Sequence, residues 1–133
     1  MFAFFTPNEA NDALPDVIKK FEYALAKNNE VKKIEQELQI SISTTNSLES
    51  YVDIKQRLNT AITKFYESVE ILENTGVVVK SIEQGLLDFP SKRFEDEVWL
   101  CWKYGETEIK FWHEKDSGFM GRKPIEVSDE SLI

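Results

Sequence analysis

The sequence contains a single histidine, His113, and a single cysteine, Cys101. A Cys–His nucleophile or a mixed Cys/His metal site would need both residues, and the common zinc sites need more of each. The chain also lacks the glycine-rich phosphate loop, the H-E-x-x-H helix and the G-x-S-x-G elbow. Any chemistry must therefore depend on His113 and on charged residues that the fold brings near it.

The segment EVWLCWKYGETEIKFWHE predicts a β-hairpin, because two apolar, aromatic runs flank Gly105–Glu106. A turn centred there pairs Val98 with His113 and Trp99 with Trp112. In this register Cys101 and His113 lie on opposite faces and far apart along the hairpin. We therefore expect no shared Cys–His site, no bound metal and no cofactor.

The same register gives the hairpin one apolar face and one half-polar face. The half-polar face carries a Lys103–Glu108 cross-strand ion pair and a Trp99–Trp112 aromatic pair. The apolar face is expected to pack on the helices, and its members are Val98, Leu100, Trp102, Ile109, Phe111 and His113.

Charged residues should gather at the open end of this hairpin, where the loops PSKRFEDE and KDSGFMGRKP emerge. One interpretation is a small anion-binding or acid–base site, with arginine forks as clamps and a histidine that moves a proton. The other is an ion-pair cluster that seals the bottom of the core. No catalytic residue is assigned beyond the candidate His113, and the proposed anion or ligand residues are Asp88, Arg93, His113, Asp116 and Arg122.

The first half of the chain predicts a long antiparallel helical hairpin over residues 6–75, with a hydroxyl-rich turn near 40–47. Thr6, Pro7 and Glu9 form a capping box with proline at the first helical position. Pro15 should break or kink the first helix near Leu14.

The second helix carries the strongest periodic pattern and ends at Gly76. Its apolar residues repeat as in a coiled-coil heptad, interrupted only by Lys55. We favour the interpretation that this stripe is the core of the domain, and a seam for another protein is the alternative. The stripe comprises Leu48, Tyr51, Lys55, Leu58, Ile62, Phe65, Val69 and Leu72.

After Gly76 the hydrophobic period changes to two, which predicts a small antiparallel sheet over residues 76–125. Pro90 should stop the short strand Leu86–Phe89. We expect residues 126–133 to form a polar tail. We therefore predict a single α+β domain over residues 1–133, in which a coiled-coil-like helical hairpin precedes the sheet and its carboxy-terminal β-hairpin.

The net charge of −8 is spread evenly, with 8 basic and 12 acidic residues in each of 1–76 and 77–133. Nucleic-acid binding through the short Lys–Arg loops is therefore disfavoured, as is an anionic membrane surface. The apolar run at the amino end is too short for a signal peptide or a membrane span, so a cytoplasmic location is expected.

Four segments are distinctive, namely FTPNEANDALP, GLLDFPSKR, VWLCWKYGE and IKFWHEKDSGFMGRKP. Together they resemble the bacterial and archaeal family called domain of unknown function 2203. The resemblance spans Phe5 to Pro124 and implies a helical hairpin followed by short strands. It supplies no activity, substrate or catalytic residue.

These patterns favour a non-enzymatic interaction module that binds protein, either a second copy in a homodimer or another chain, through the helical hairpin. The alternative is a small-molecule or anion-binding protein, or an enzyme, at the open end of the β-hairpin. The alternative requires Arg93 and Arg122 to converge with His113 around a cavity.

Overall fold

In the computed structural model, which describes residues 3–44 and 47–125, two long helices precede a five-stranded antiparallel sheet. The strands lie in chain order across the sheet. The predicted α+β class is thereby confirmed, whereas the tail 126–133 lies outside the described residues. The elements are α1 (Pro7–Thr44), α2 (Leu48–Glu73), β1 (Val78–Ser81), β2 (Leu86–Arg93), β3 (Asp96–Lys103), β4 (Phe111–Glu114) and β5 (Lys123–Pro124), with a short 3-10 helix at Phe119–Gly121.

The start of α1 is the predicted capping box. The Thr6 amide donates to Glu9 Oε1 at 3.0 Å, and the Glu9 amide donates to Thr6 Oγ1 at 3.1 Å. The preceding Phe5 amide donates to the Pro90 carbonyl at 2.7 Å. These bonds fix the first turn of α1 beside β2.

The predicted break at Pro15 is wrong, because α1 continues through it to Thr44. Proline inside a helix costs about 3 kcal/mol. Leu14 lies before it and Val17 and Phe21 lie after it, all at most 1% exposed in the core. Burial of each such side chain contributes about 1.5–3 kcal/mol, so tertiary packing outweighs the local cost.

The buried stripe of α2 differs from the predicted one. Leu58 and Leu72 are buried as expected, but Leu48 and Tyr51 are exposed. The side chains that α2 buries are Ile54, Leu58, Ala61, Ser68 and Leu72. This stripe keeps the 3-4 spacing but is rotated so that it includes the small residues Ala61 and Ser68.

The apolar interior consists of two clusters. The first joins the amino-terminal half of α1 and Leu72 to the sheet, and the second lies entirely between α1 and α2. The second cluster comprises Ile34, Leu38, Ile54, Leu58 and Ala61. We call the part of the hairpin beyond this second cluster, residues 40–44 and 47–52, the hairpin tip.

The strand β2 does not stop at Pro90, contrary to the prediction, but runs on to Arg93. The Pro90 carbonyl accepts a hydrogen bond from Phe5, so it points away from β3. The nitrogen of a strand residue points to the same side as its carbonyl. Because β1 pairs with β2 only up to Asp88, Pro90 occupies a position that needs no ladder donor.

The predicted register of the β3–β4 hairpin is wrong by one residue. Trp99 faces His113 and Leu100 faces Trp112, so the Trp99–Trp112 and Lys103–Glu108 pairs do not form. The connection is the seven-residue stretch 104–110 rather than a tight turn. Ile109 enters the core there, and its amide donates to Asn11 Oδ1 on α1 at 2.7 Å.

The sheet therefore has an inner face toward the helices and an outer face away from them. Leu87, Phe89, Leu100, Trp102 and Trp112 belong to the inner face, within the first apolar cluster. The alternate residues of the strands form the outer face. Neither helix, over its described residues, has an apolar stretch long enough to cross a membrane.

Candidate functional site

The corrected register brings Asp88, Cys101 and His113 together on the outer face. Asp88 of β2 lies directly opposite Cys101 of β3. His113 of β4 faces Trp99, two residues from Cys101 on the same face. The expectation that Cys101 and His113 lie far apart on opposite faces is therefore wrong, and with it the geometric reason for excluding a site that both share.

The three side chains form a buried polar cluster, which we call the outer-face triad. Cys101 is 1% exposed, and Asp88 and His113 are each 2% exposed. His113 Nε2 lies 3.2 and 3.1 Å from the two Asp88 carboxylate oxygens. One ligand-type atom from each residue lies within 4.8 Å of the others.

The hydrogen bonds of His113 define its tautomer. Nδ1 lies 2.8 Å from the Glu114 carbonyl oxygen, which can only accept, so Nδ1 carries a proton. Nε2 faces a carboxylate, which also accepts unless it is protonated. A proton or another cation must therefore lie between His113 and Asp88 for this contact to be attractive.

Burial dominates the acid–base properties of the triad. It raises the pKa of Asp88 above its ordinary value, against the opposing effect of His113 and of Lys80, whose Nζ lies 4.0 Å from the carboxylate. Burial, assisted by the negative charge of Asp88, raises the pKa of Cys101 to about 12. Cys101 is therefore a thiol at neutral pH and is a poor nucleophile in this state.

A cleft of about 160 Å³ opens beside the triad, and all three triad residues line it. Gly118 and Phe119, from the loop between β4 and β5, form part of its wall. Gly118 has a φ of +66°, a conformation that favours glycine. The remaining lining residues are Lys80, Leu86 and Lys115.

Arg122 fastens this loop to the sheet instead of lining the cleft. Its Nη2 donates to both carboxylate oxygens of Glu106 at 2.8 Å, and the side chain is 14% exposed. The guanidinium also lies over the rings of Phe111 and Phe119, at 4.0 and 4.7 Å from their centroids. The contacts of Arg122 are those of a structural clamp between the loop and the β3–β4 connection.

The other predicted site residues lie elsewhere. Arg93, at the end of β2, stacks its guanidinium 4.9 Å from the Trp112 ring centroid and borders a different depression that contains Glu95 and Glu97. Asp116 is exposed in the loop after β4. Of the five predicted residues, the structure thus joins Asp88 to His113, and an anion clamp of two arginines around His113 does not fit this placement.

Sequence reasoning missed Cys101, Lys80 and Glu106. Lys80 lies on β1, and the sequence pattern predicted no partner strand for β1. Cys101 was excluded by the predicted register and by the presence of only one cysteine and one histidine in the sequence. The sequence does contain one indication that the outer face is buried. The run VWLCW in β3 is apolar at every position, as expected for a strand buried on both faces.

Residues 3–125 match the family described as Uncharacterized conserved protein (DUF2203). The chain belongs to the DUF2203 family. The match covers both helices, all five strands and the whole outer-face triad. No curated protein and no solved structure shows significant similarity to this DUF2203 protein.

Proposed function

We propose that this protein is a non-enzymatic interaction module, and that two copies associate through their hairpin tips. The observation that carries the proposal is the exposure of large apolar side chains there. Such side chains are costly to leave in water and mark contact surfaces when they are concentrated. The exposed fractions are Ile40 62%, Ile42 52%, Leu48 75%, Tyr51 41% and Val52 45%.

The pattern of α2 supports an intermolecular role for the tip. Leu48 and Tyr51 begin the heptad-like stripe, which continues into the buried Leu58 and Leu72. Within one chain, the buried side chains of α2 begin only at Ile54. Its first turn therefore presents apolar side chains that a second hairpin could cover.

Charge supports a second copy as the partner. Residues 40–52 contain one charged residue, Glu49, whereas the whole chain has a net charge of −8. Two identical acidic chains repel each other least where the local charge is low. A symmetric contact through this segment also places the same apolar residues on both sides of the interface.

Sedimentation equilibrium of the full chain over a wide concentration range tests the proposal. We expect the apparent mass to rise from that of the monomer toward that of the dimer. The variant Leu48→Asp should shift the dissociation constant upward by about tenfold or more, because burial of a leucine contributes about 1.5–3 kcal/mol.

Met120→Asp is the matched control, since Met120 is 93% exposed and lies in the loop after β4. It should leave the dissociation constant unchanged. A mass that stays monomeric at every concentration would contradict the proposed self-association, as would equal weakening by both substitutions.

A further inference from the structure

We propose that Asp88, Cys101 and His113 bind a divalent transition-metal ion of the zinc class. These residues supply a carboxylate oxygen, a thiolate sulfur and an imidazole nitrogen, the three ligand types that zinc accepts from proteins. They come from three adjacent strands, which hold their backbones in fixed relative positions. The site is independent of the hairpin tip.

The distances between the ligand atoms suit such an ion. Bonds of about 2.0–2.3 Å in a tetrahedral shell place neighbouring ligand atoms roughly 3.3–3.8 Å apart. The triad atoms lie within 4.8 Å of one another, and the Asp88–His113 contact is 3.1 Å. The contact of 3.1 Å and the upper limit of 4.8 Å bracket the spacing of a tetrahedral shell.

The surroundings of His113 are those of a metal ligand. Its Nδ1–H donates to the Glu114 carbonyl, which fixes the ring and directs the lone pair of Nε2 toward Asp88. Ligating histidines almost always have an outer partner of this kind. A cation between Nε2 and the carboxylate would satisfy the two acceptors that face each other.

Charge balance also favours a divalent ion. Metal binding releases the thiol proton of Cys101, because a coordinated thiol is deprotonated. The thiolate and the Asp88 carboxylate would then neutralise the two positive charges in a buried place. A thiolate in the set selects zinc-class ions over magnesium or calcium.

Three protein ligands leave a fourth position open toward the cleft. This arrangement is typical of metal sites that exchange a ligand, whereas purely structural zinc sites are closed by four side chains. Lys80 and Lys115 line the cleft, so the fourth ligand would be water or a small anion. The cleft also gives the ion a path to the buried triad.

Cobalt titration of the untagged full chain, after treatment with a chelator, tests the site. We expect about one Co²⁺ per chain, with a near-ultraviolet thiolate-to-cobalt charge-transfer band that Zn²⁺ abolishes by displacement. Cys101→Ser should abolish the band. Because loss of an outer partner weakens metal affinity about 10–100-fold, Asp88→Asn and His113→Gln should each weaken Co²⁺ binding by at least about 100-fold.

Asp116→Asn is the matched control, since Asp116 is an exposed carboxylate in the loop after β4 and does not line the cleft. It should retain the band and the affinity, and circular dichroism would establish that all variants fold. The proposal is overturned if wild type shows no thiolate band, or if folded Cys101→Ser binds Co²⁺ as tightly as wild type.

Discussion

The middle of the sheet is buried on both faces, but by different means and with different residues. The inner face is apolar and lies under α1, with Trp102, Phe89 and Leu100 fully buried. The outer face holds the polar triad beneath a short loop and the side chains of Lys80 and Phe119. A strand that is buried on both sides loses the alternation of apolar and polar residues by which a face is usually recognised.

The largest effect is expected on the inner face. Trp102→Ala should lower the free energy of unfolding by about 3–5 kcal/mol, because it leaves a cavity between Phe21 and the sheet. The Trp102 and Phe21 rings lie 5.4 Å apart, edge to face. Urea denaturation would measure the change. A cost below about 1 kcal/mol would contradict the assignment of Trp102 to the main core.

On the outer face, the cost of a substitution should depend on whether it leaves a buried polar side chain without its partner, and not on the apolar area that it removes. With chelator present, His113→Leu should lower the free energy of unfolding by about 2–3 kcal/mol, because Asp88 loses its buried partner. The double variant Asp88→Leu/His113→Leu should be less destabilised than the sum of the two single variants. Additive costs in a double-mutant cycle would show that the two side chains are not coupled.

A substitution that loosens the loop between β4 and β5 should expose the outer face but leave the inner face buried. Arg122→Ala removes the clamp on Glu106 and should cost about 1–2 kcal/mol. The Cys101 thiol, buried and with its pKa raised to about 12, should react slowly with a disulfide reagent in the wild type and faster in this variant. Unchanged thiol reactivity would indicate that the loop does not limit access to the triad.

The smallest effect is expected at the start of the helix that covers the inner face. Thr6→Ala removes the acceptor of the Glu9 amide and should lower the free energy of unfolding by about 1 kcal/mol. Thr6→Ser keeps the hydroxyl and serves as the control. Equal stability of Thr6→Ala and wild type in thermal denaturation would show that the capping box does not stabilise α1.

The candidate site was only partly predictable. Asp88 and His113 were selected as candidates from their place at the strand ends, and they are in contact. Cys101, the third member of the triad, was not predicted, because a shift of one residue in the register moves every side chain of a strand to the opposite face. The loops that carry Arg93 and Arg122 were expected to meet at the open end, but β5 pairs back along β4 and returns Arg122 to Glu106 in the β3–β4 connection.

The sequence by itself determined the features that depend on neighbouring residues. The capping box of Thr6 and Glu9, the end of α2 before Gly76, and the change from helical to strand periodicity are all local, and each is present. These features were sufficient for the α+β class, because capping and periodicity act within a few residues of the chain.

Only the tertiary structure decided the register of β3 against β4, the rotation of the α2 stripe and the continuity of α1 through Pro15. Each depends on contacts between segments distant in the chain, such as Ile109 with Asn11 or Phe5 with Pro90. Local preferences are worth about 1–3 kcal/mol at such positions, and burial of several large side chains exceeds them. The same long-range packing placed Cys101 beside His113 and so created the outer-face triad.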